Sequence, residues 1–133
     1  MSVVDASVVA ELLLGLPLAR AAEPHLFGSE PAAAPDLLNA EVLHVLRHYE
    51  RRGAIDAGWS RQALEDLVDL PIVRYPTLAL LEGAWTLRRN LTGYDAMYAA
   101  LAAALGAPLV TSDSRLAAAA RQHAGVSVVL LSR

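Results

Sequence analysis

The chain is expected to form a single α/β domain, a short parallel sheet flanked by helices, on three observations. Short β-rich runs at Ser2 to Val4, Pro71 to Arg74, Leu109 to Thr111 and Val126 to Leu130 alternate with longer helical stretches, the pattern of strand–helix–strand crossovers. The 133 residues suffice for one domain that buries roughly 65–70% of its unfolded surface, and no repeat, heptad or linker divides residues 1–133. Hydrophobic residues make up 55% against 19% charged and 5% aromatic, so the core is aliphatic and alanine-rich.

Taken in order, Val3-Val4 closes the first strand, and Asp5 follows where an N-cap would accept the first amides of a helix from Ser7 to Gly15. Helices are then expected over Pro17 to Leu26, Pro35 to Arg52 and Ser60 to Asp69, with proline at two starts and Gly15 and Gly53 at ends. After the strand at Pro71 come helices Pro76 to Asn90 and Gly93 to Leu105, the latter opened by Thr92 and stopped by Gly106. Ser112-Asp113-Ser114 leaves the strand at Leu109 and opens a helix that runs to His123, and the last strand follows.

Composition excludes several chemistries. Cysteine is absent, which removes disulfides, thiolate nucleophiles and cysteine-ligated zinc. All eleven basic residues are Arg, so a P-loop lysine, a Schiff base and the lysine of a response-regulator receiver are missing, while phosphate contact by Arg is not. Asp5 and Glu11 lie where a signal peptide would be basic, and the longest uncharged run, Ala96 to Ser112, is broken by Gly106 and Pro108. A cytoplasmic protein without a membrane span is expected. Net charge of −3 argues against indiscriminate coating of nucleic acid but not against a local Arg patch.

Four acids stand at the edges of apolar segments. Asp5 and Asp113 each follow a strand, and in open α/β sheets ligands bind beyond the carboxyl ends of strands, so the two are expected on one rim. Asp95 is the sole charge between Asn90 and Ser112, with small Ala99 and Ala102 on its face of the helix. Glu41 projects between Leu37 and Val45 inside an apolar arc that also holds Leu38, Val42, Leu46 and Tyr49. A charge there needs an Arg partner or a metal. Brought together, these carboxylates repel one another unless a divalent cation intervenes. Capping alone is the bland alternative for Asp5, Asp95 and Asp113. His44 and His48 share a helical face but lack a third ligand and the glutamate of a metalloprotease helix, and no Gly-x-Ser-x-Gly or Gly-rich phosphate loop occurs.

The order and contexts of the four acids resemble those of PIN-domain ribonucleases, specifically the VapC toxins of VapBC toxin–antitoxin pairs. The matching stretches are Val3-Val-Asp-Ala-Ser-Val-Val-Ala-Glu-Leu-Leu-Leu-Gly15, Pro35-Asp-Leu-Leu-Asn-Ala-Glu-Val42, Leu91-Thr-Gly-Tyr-Asp-Ala-Met-Tyr-Ala-Ala-Leu101 and Val110-Thr-Ser-Asp-Ser-Arg-Leu116. The resemblance implies a PIN-like three-layer α/β/α sandwich and an Mg2+- or Mn2+-dependent endoribonuclease. It implies catalytic Asp5, Glu41, Asp95 and Asp113, with Asp5, Asp95 and Asp113 holding the metal and Ser7 and Thr111 as polar supports. Ser114 and Arg115 follow Asp113, so an extra acid that some members carry there is missing. A homodimer, an RNA substrate and a cognate VapB-like antitoxin are likewise implied. Arg88, Arg89 and Arg115 are candidate phosphate contacts. Tyr94 and Tyr98 suit base stacking or, more simply, the core. The leucines Leu12, Leu13, Leu14 and Leu16 exceed one helix face, which suggests an antitoxin groove between the helices after Ser7 and Pro35. The rival from another class is a catalytically silent module that binds RNA or a partner, its acids serving only as caps and ion pairs.

Overall fold

The computed structural model describes residues 1–132 and joins five strands into one sheet. They are β1 (Ser2–Val4), β2 (Ala32–Pro35), β3 (Ile72–Tyr75), β4 (Leu109–Thr111) and β5 (Val128–Leu130), all parallel, in the order β3-β2-β1-β4-β5. Val3 is registered between Ala33 and Leu109, at the centre of the sheet. Seven helices connect the strands: α1 (Ala6–Leu14), α2 (Ala19–Phe27), α3 (Leu37–Arg51), α4 (Ala57–Asp69), α5 (Leu81–Thr86), α6 (Gly93–Leu105) and α7 (Ser114–His123). A 3-10 turn at Thr77–Leu80 leads into α5.

A parallel sheet is covered on both faces, so its strands are apolar along their length. Val3, Val4, Leu109 and Val110 have no exposed surface. Helices α1 to α4 pack on one another, α5 and α6 pack together with α6 against β1, β2 and β4, and α7 lies against β4 and β5. Leu26, Leu38 and Leu101 are buried in these layers, each contributing about 1.5–3 kcal/mol by leaving water.

Strand β2 is absent from the sequence expectations, which give Pro35 to a helix start. Ala32-Ala33-Ala34-Pro35 has neither β-branched residues nor alternation, so it carries no strand signal of its own. It is a strand because β1 and β3 flank it, and its small side chains let α6, α2 and α3 close over it. Pro35 stands at its end, and Asp36 N–H, the next donor, bonds Tyr75 O at 2.7 Å.

Two other helices depart from expectation. Helix α4 begins at Ala57 rather than Ser60 because Asp56 accepts the Trp59 N–H at 2.8 Å. The expected helix from Pro76 to Asn90 divides into the 3-10 turn, α5 and a final turn. There the Thr86 hydroxyl takes Gly83 O at 2.6 Å and Leu87 N–H turns back to Ala84 O, tightening the ladder to an end. Gly83 also permits the close approach of α5 to α6, since a Cβ there would meet Ala100 Cβ at 3.3 Å.

The leucine surplus expected on α1 is smaller than the sequence suggests, since Leu12 and Leu16 are partly buried and Leu13 and Leu14 are core. Leu13 and Leu14 are 8% and 6% exposed because α1 is enclosed by α2, α3 and α4, and Trp59 Nε1 donates to Leu13 O at 3.2 Å. Helices α1 and α3 are in direct contact, and the open depression beside Leu12 and Leu13 lies instead against Phe27, Asp66, Asp69 and Leu70.

Candidate active site

In the order β3-β2-β1-β4-β5 the chain runs outward in opposite directions from β1 and β4, and such a reversal opens a crevice at the carboxyl ends of the two strands. Asp5 leaves β1 in extended conformation, with φ of −95° and ψ of 175°, and caps α1 by accepting the Val8 N–H at 3.3 Å. Asp113, two residues beyond β4, caps α7 through Oδ1, which accepts from Arg115 N at 2.9 Å and Leu116 N at 3.3 Å. The capping roles are therefore real, and they fix both carboxylates at one rim.

Side chains from α1 and β4 then tie that rim together. Ser7 Oγ donates to Asp5 Oδ1 at 2.6 Å, and Thr111 Oγ1 donates to Asp5 Oδ2 at 2.7 Å. Ser7 Oγ accepts the Ser112 N–H at 3.0 Å, and Thr111 Oγ1 accepts the Asp113 N–H at 3.0 Å. Asp5 and Thr111 are the buried polar or charged side chains among the described residues, and they bond to each other. Ser7 and Thr111 thus both donate to Asp5.

The other two acids come from helices. Asp95 lies in the first turn of α6, where Thr92 Oγ1 accepts the Asp95 N–H at 3.2 Å. Glu41, on α3, is half-buried, and its partner is neither an Arg nor a neighbour in sequence. Tyr98 Oη donates to Glu41 Oε1 at 2.6 Å. Tyr98 is one turn beyond Asp95 on α6, so α6 presents both to the same side. Tyr94, by contrast, is 65% exposed and free of the core.

Burial and mutual repulsion hold the carboxyls of Asp5, Glu41 and Asp95 above their usual range. Asp5 is pushed up from 3.8 to about 6, chiefly by burial, with the Asp113 charge adding to it and the Ser7, Thr111 and Val8 hydrogen bonds opposing. Glu41 is raised by burial and by Asp95, against the Tyr98 hydrogen bond. Asp95 is raised by burial and by Asp113, partly offset by Thr92 and Arg115. The same couplings show that the four acids share one electrostatic neighbourhood.

Asp95, Asp113 and Arg115 line an open cleft of about 280 Å³ together with Asn90 and Thr92, two residues that carried no functional signal in the sequence. Larger depressions lie between α3 and α4, around Leu43, Leu64 and Leu67, and contain none of the four acids. Arg88 is turned onto the Trp85 ring, 4.4 Å from its centroid, and donates to Trp85 O. Arg89 is exposed on the same turn.

The donor set suits a hard divalent cation: four carboxylates, hydroxyls and no sulfur. Among the described residues no three acidic or histidine side chains stand arranged to grip one ion together. Among the described residues no helix is long and apolar enough to cross a membrane.

The PIN domain family model matches residues 2–122. VapC ribonuclease Mb0985 of Mycobacterium bovis is 38% identical over 129 residues, 97% of this chain and 98% of its own length. Ribonuclease VapC1 of Mycobacterium tuberculosis is 45% identical over 118 residues, 88% of this chain and 89% of its own length. Among solved structures, PAE2754 from Pyrobaculum aerophilum superposes with a TM-score of 0.69 at 27% identity, covering 97% of this chain and 83% of that one. With the crevice at the β1/β4 reversal and near full-length likeness to these proteins, the chain belongs to the PIN-domain family and, within it, to the VapC ribonucleases.

Proposed function

We propose that this endoribonuclease is the toxin of a toxin–antitoxin pair, and that it hydrolyses RNA phosphodiesters in the crevice of Asp5, Glu41, Asp95 and Asp113 with Mg2+ or Mn2+ bound there. The observation that carries the reading is the convergence of four carboxylates whose burial and repulsion raise Asp5, Glu41 and Asp95 together. Caps and ion pairs alone would leave that negative charge uncompensated.

Asp5, Asp95 and Asp113 are the residues that would hold the cation, directly or through water. When bound, it supplies positive charge against the phosphate and acidifies a water molecule for attack. The chain does the rest. Ser7 and Thr111 keep both oxygens of Asp5 fixed, so the site is built before substrate arrives. Asp113 spends Oδ1 on the α7 cap, leaving Oδ2 outside the cap bonds. Glu41 would serve as a further ligand of the cation or as the base that orients the attacking water. Arg115, exposed on the cleft rim, meets phosphate oxygens, and Arg88 and Arg89 are further backbone contacts. With a net charge of −3, RNA approach depends on such local arginines.

A VapB-like antitoxin is the proposed restraint, and the protein is proposed to act as a homodimer in the cytoplasm. Exposed Leu78, Leu81 and Trp85 supply the apolar surface that interfaces cover. The enzyme reading is tested by incubating purified, antitoxin-free protein with a pool of structured RNAs in Mg2+ or Mn2+, in EDTA, and as Asp95→Asn. Cutting that needs metal and disappears in the variant is expected. Cutting that survives both EDTA and Asp95→Asn contradicts the proposed chemistry, and a folded, metal-binding protein that cuts none of the RNAs favours the silent binding module.

A further inference from the structure

Resting on that reading, we infer that Tyr98 is a positioning residue of the site: its hydroxyl fixes the Glu41 carboxylate and through it the seat of the cation. Three observations join here. Tyr98 is 2% exposed, so its ring is held by the core, and its one polar atom meets Glu41 Oε1 at 2.6 Å. The pair spans 57 residues and links α6 to α3, the two elements that deliver Asp95 and Glu41. The phenol also feels the charges of Asp5 and Asp95.

A packing role for Tyr98 needs the ring alone, which Phe supplies. The hydroxyl adds something else: it anchors Glu41 through Oε1 and so sets the direction in which Oε2 is presented. Burial and the surrounding carboxylates hold the phenol proton in place, far above its ordinary 10, so Tyr98 acts as a donor and takes no charge of its own. A rigid ring is thereby made to aim a flexible glutamate. Without it, Glu41 on α3 is free to change rotamer, and the repulsion from Asp95 turns it away from the cleft. Outer partners of this kind are worth roughly 10–100-fold in metal affinity.

The test is a double-mutant cycle on Mn2+ affinity by titration calorimetry, using the folded protein alone, with wild type, Tyr98→Phe, Glu41→Gln and the double variant. Thermal melts run alongside, because Tyr98→Phe removes a single oxygen and keeps the ring packed. Tyr98→Phe is expected to weaken Mn2+ about tenfold, within the range for such partners. Glu41→Gln should weaken it at least as much, and the double variant should be no weaker than Glu41→Gln alone. Wild-type affinity in Tyr98→Phe, with or without a lowered melting temperature, reduces Tyr98 to packing and overturns the inference. Full additivity of the two losses does the same, since Tyr98 would then act by another route. A wild-type protein that binds no Mn2+ overturns this inference and the metal reading beneath it together.

Discussion

Asp5→Asn should make the metal-free protein more stable while destroying its activity. The carboxyl at residue 5 ionises at 3.8 in the unfolded chain and at about 6 in the folded one. Holding it charged in the native state therefore costs about 3 kcal/mol, from roughly two pH units at 1.36 kcal/mol each. Because the folded value is the higher, the favourable contribution of the protonated form is complete below 3.8, is lost as pH rises, and is gone once pH passes about 6. Asparagine keeps the shape and the cap: its oxygen accepts from Ser7 and Val8, and its amide meets Thr111 Oγ1, whose hydroxyl rotates to accept. At pH 7.5 in EDTA the variant should therefore gain about 3 kcal/mol, or about 10 °C in melting temperature for a domain of this size. At pH 4 the two proteins should melt nearly together. Denaturant titrations at both pH values measure the gap. A variant no more stable than wild type at pH 7.5, or an equal gap at pH 4, refutes the assignment of a strained, buried carboxylate to Asp5.

Thr111→Val strips a donor from Asp5 Oδ2 and an acceptor from the Asp113 N–H, so it should cost about 1–3 kcal/mol in denaturant titration; an unchanged midpoint would show that the rim is not held by this hydroxyl. Arg115→Ala in an Asp95→Asn background should weaken RNA binding without changing the fold and lower the slope of log affinity against log salt by about 0.7, the share of one single-strand phosphate contact. An unaltered slope removes Arg115 from the RNA path. Gly83→Val forces a side chain into Ala100 and should cost about 1–3 kcal/mol by separating α5 from α6, with no loss if that contact is slack.

The sequence made much of this arrangement legible through short-range signals. Asp5 and Asp113 were recognisable because each lies between an apolar strand and a helix start, where topology and capping point to the same rim. Asp95 stood out as a lone charge in an alanine-rich helix. Strand β2 escaped notice because four small residues carry no pattern of their own, and neighbouring strands impose their conformation. The partner of Glu41 was equally hidden. Its place in an apolar arc signalled that some partner was needed, but Tyr98 is 57 residues away and reads as core from its own helix. Leu13 and Leu14 misled for the opposite reason: a helix enclosed on several sides looks from sequence like one with apolar surface to spare.

The most direct test of the cation site is anomalous scattering from crystals of the protein soaked in Mn2+. A peak bracketed by the carboxylates of Asp5, Asp95 and Asp113, lost in Asp95→Asn crystals, is the expected result. Peaks confined to exposed acids such as Glu65 and Asp66, with the crevice at the β1/β4 reversal holding only water, would contradict it.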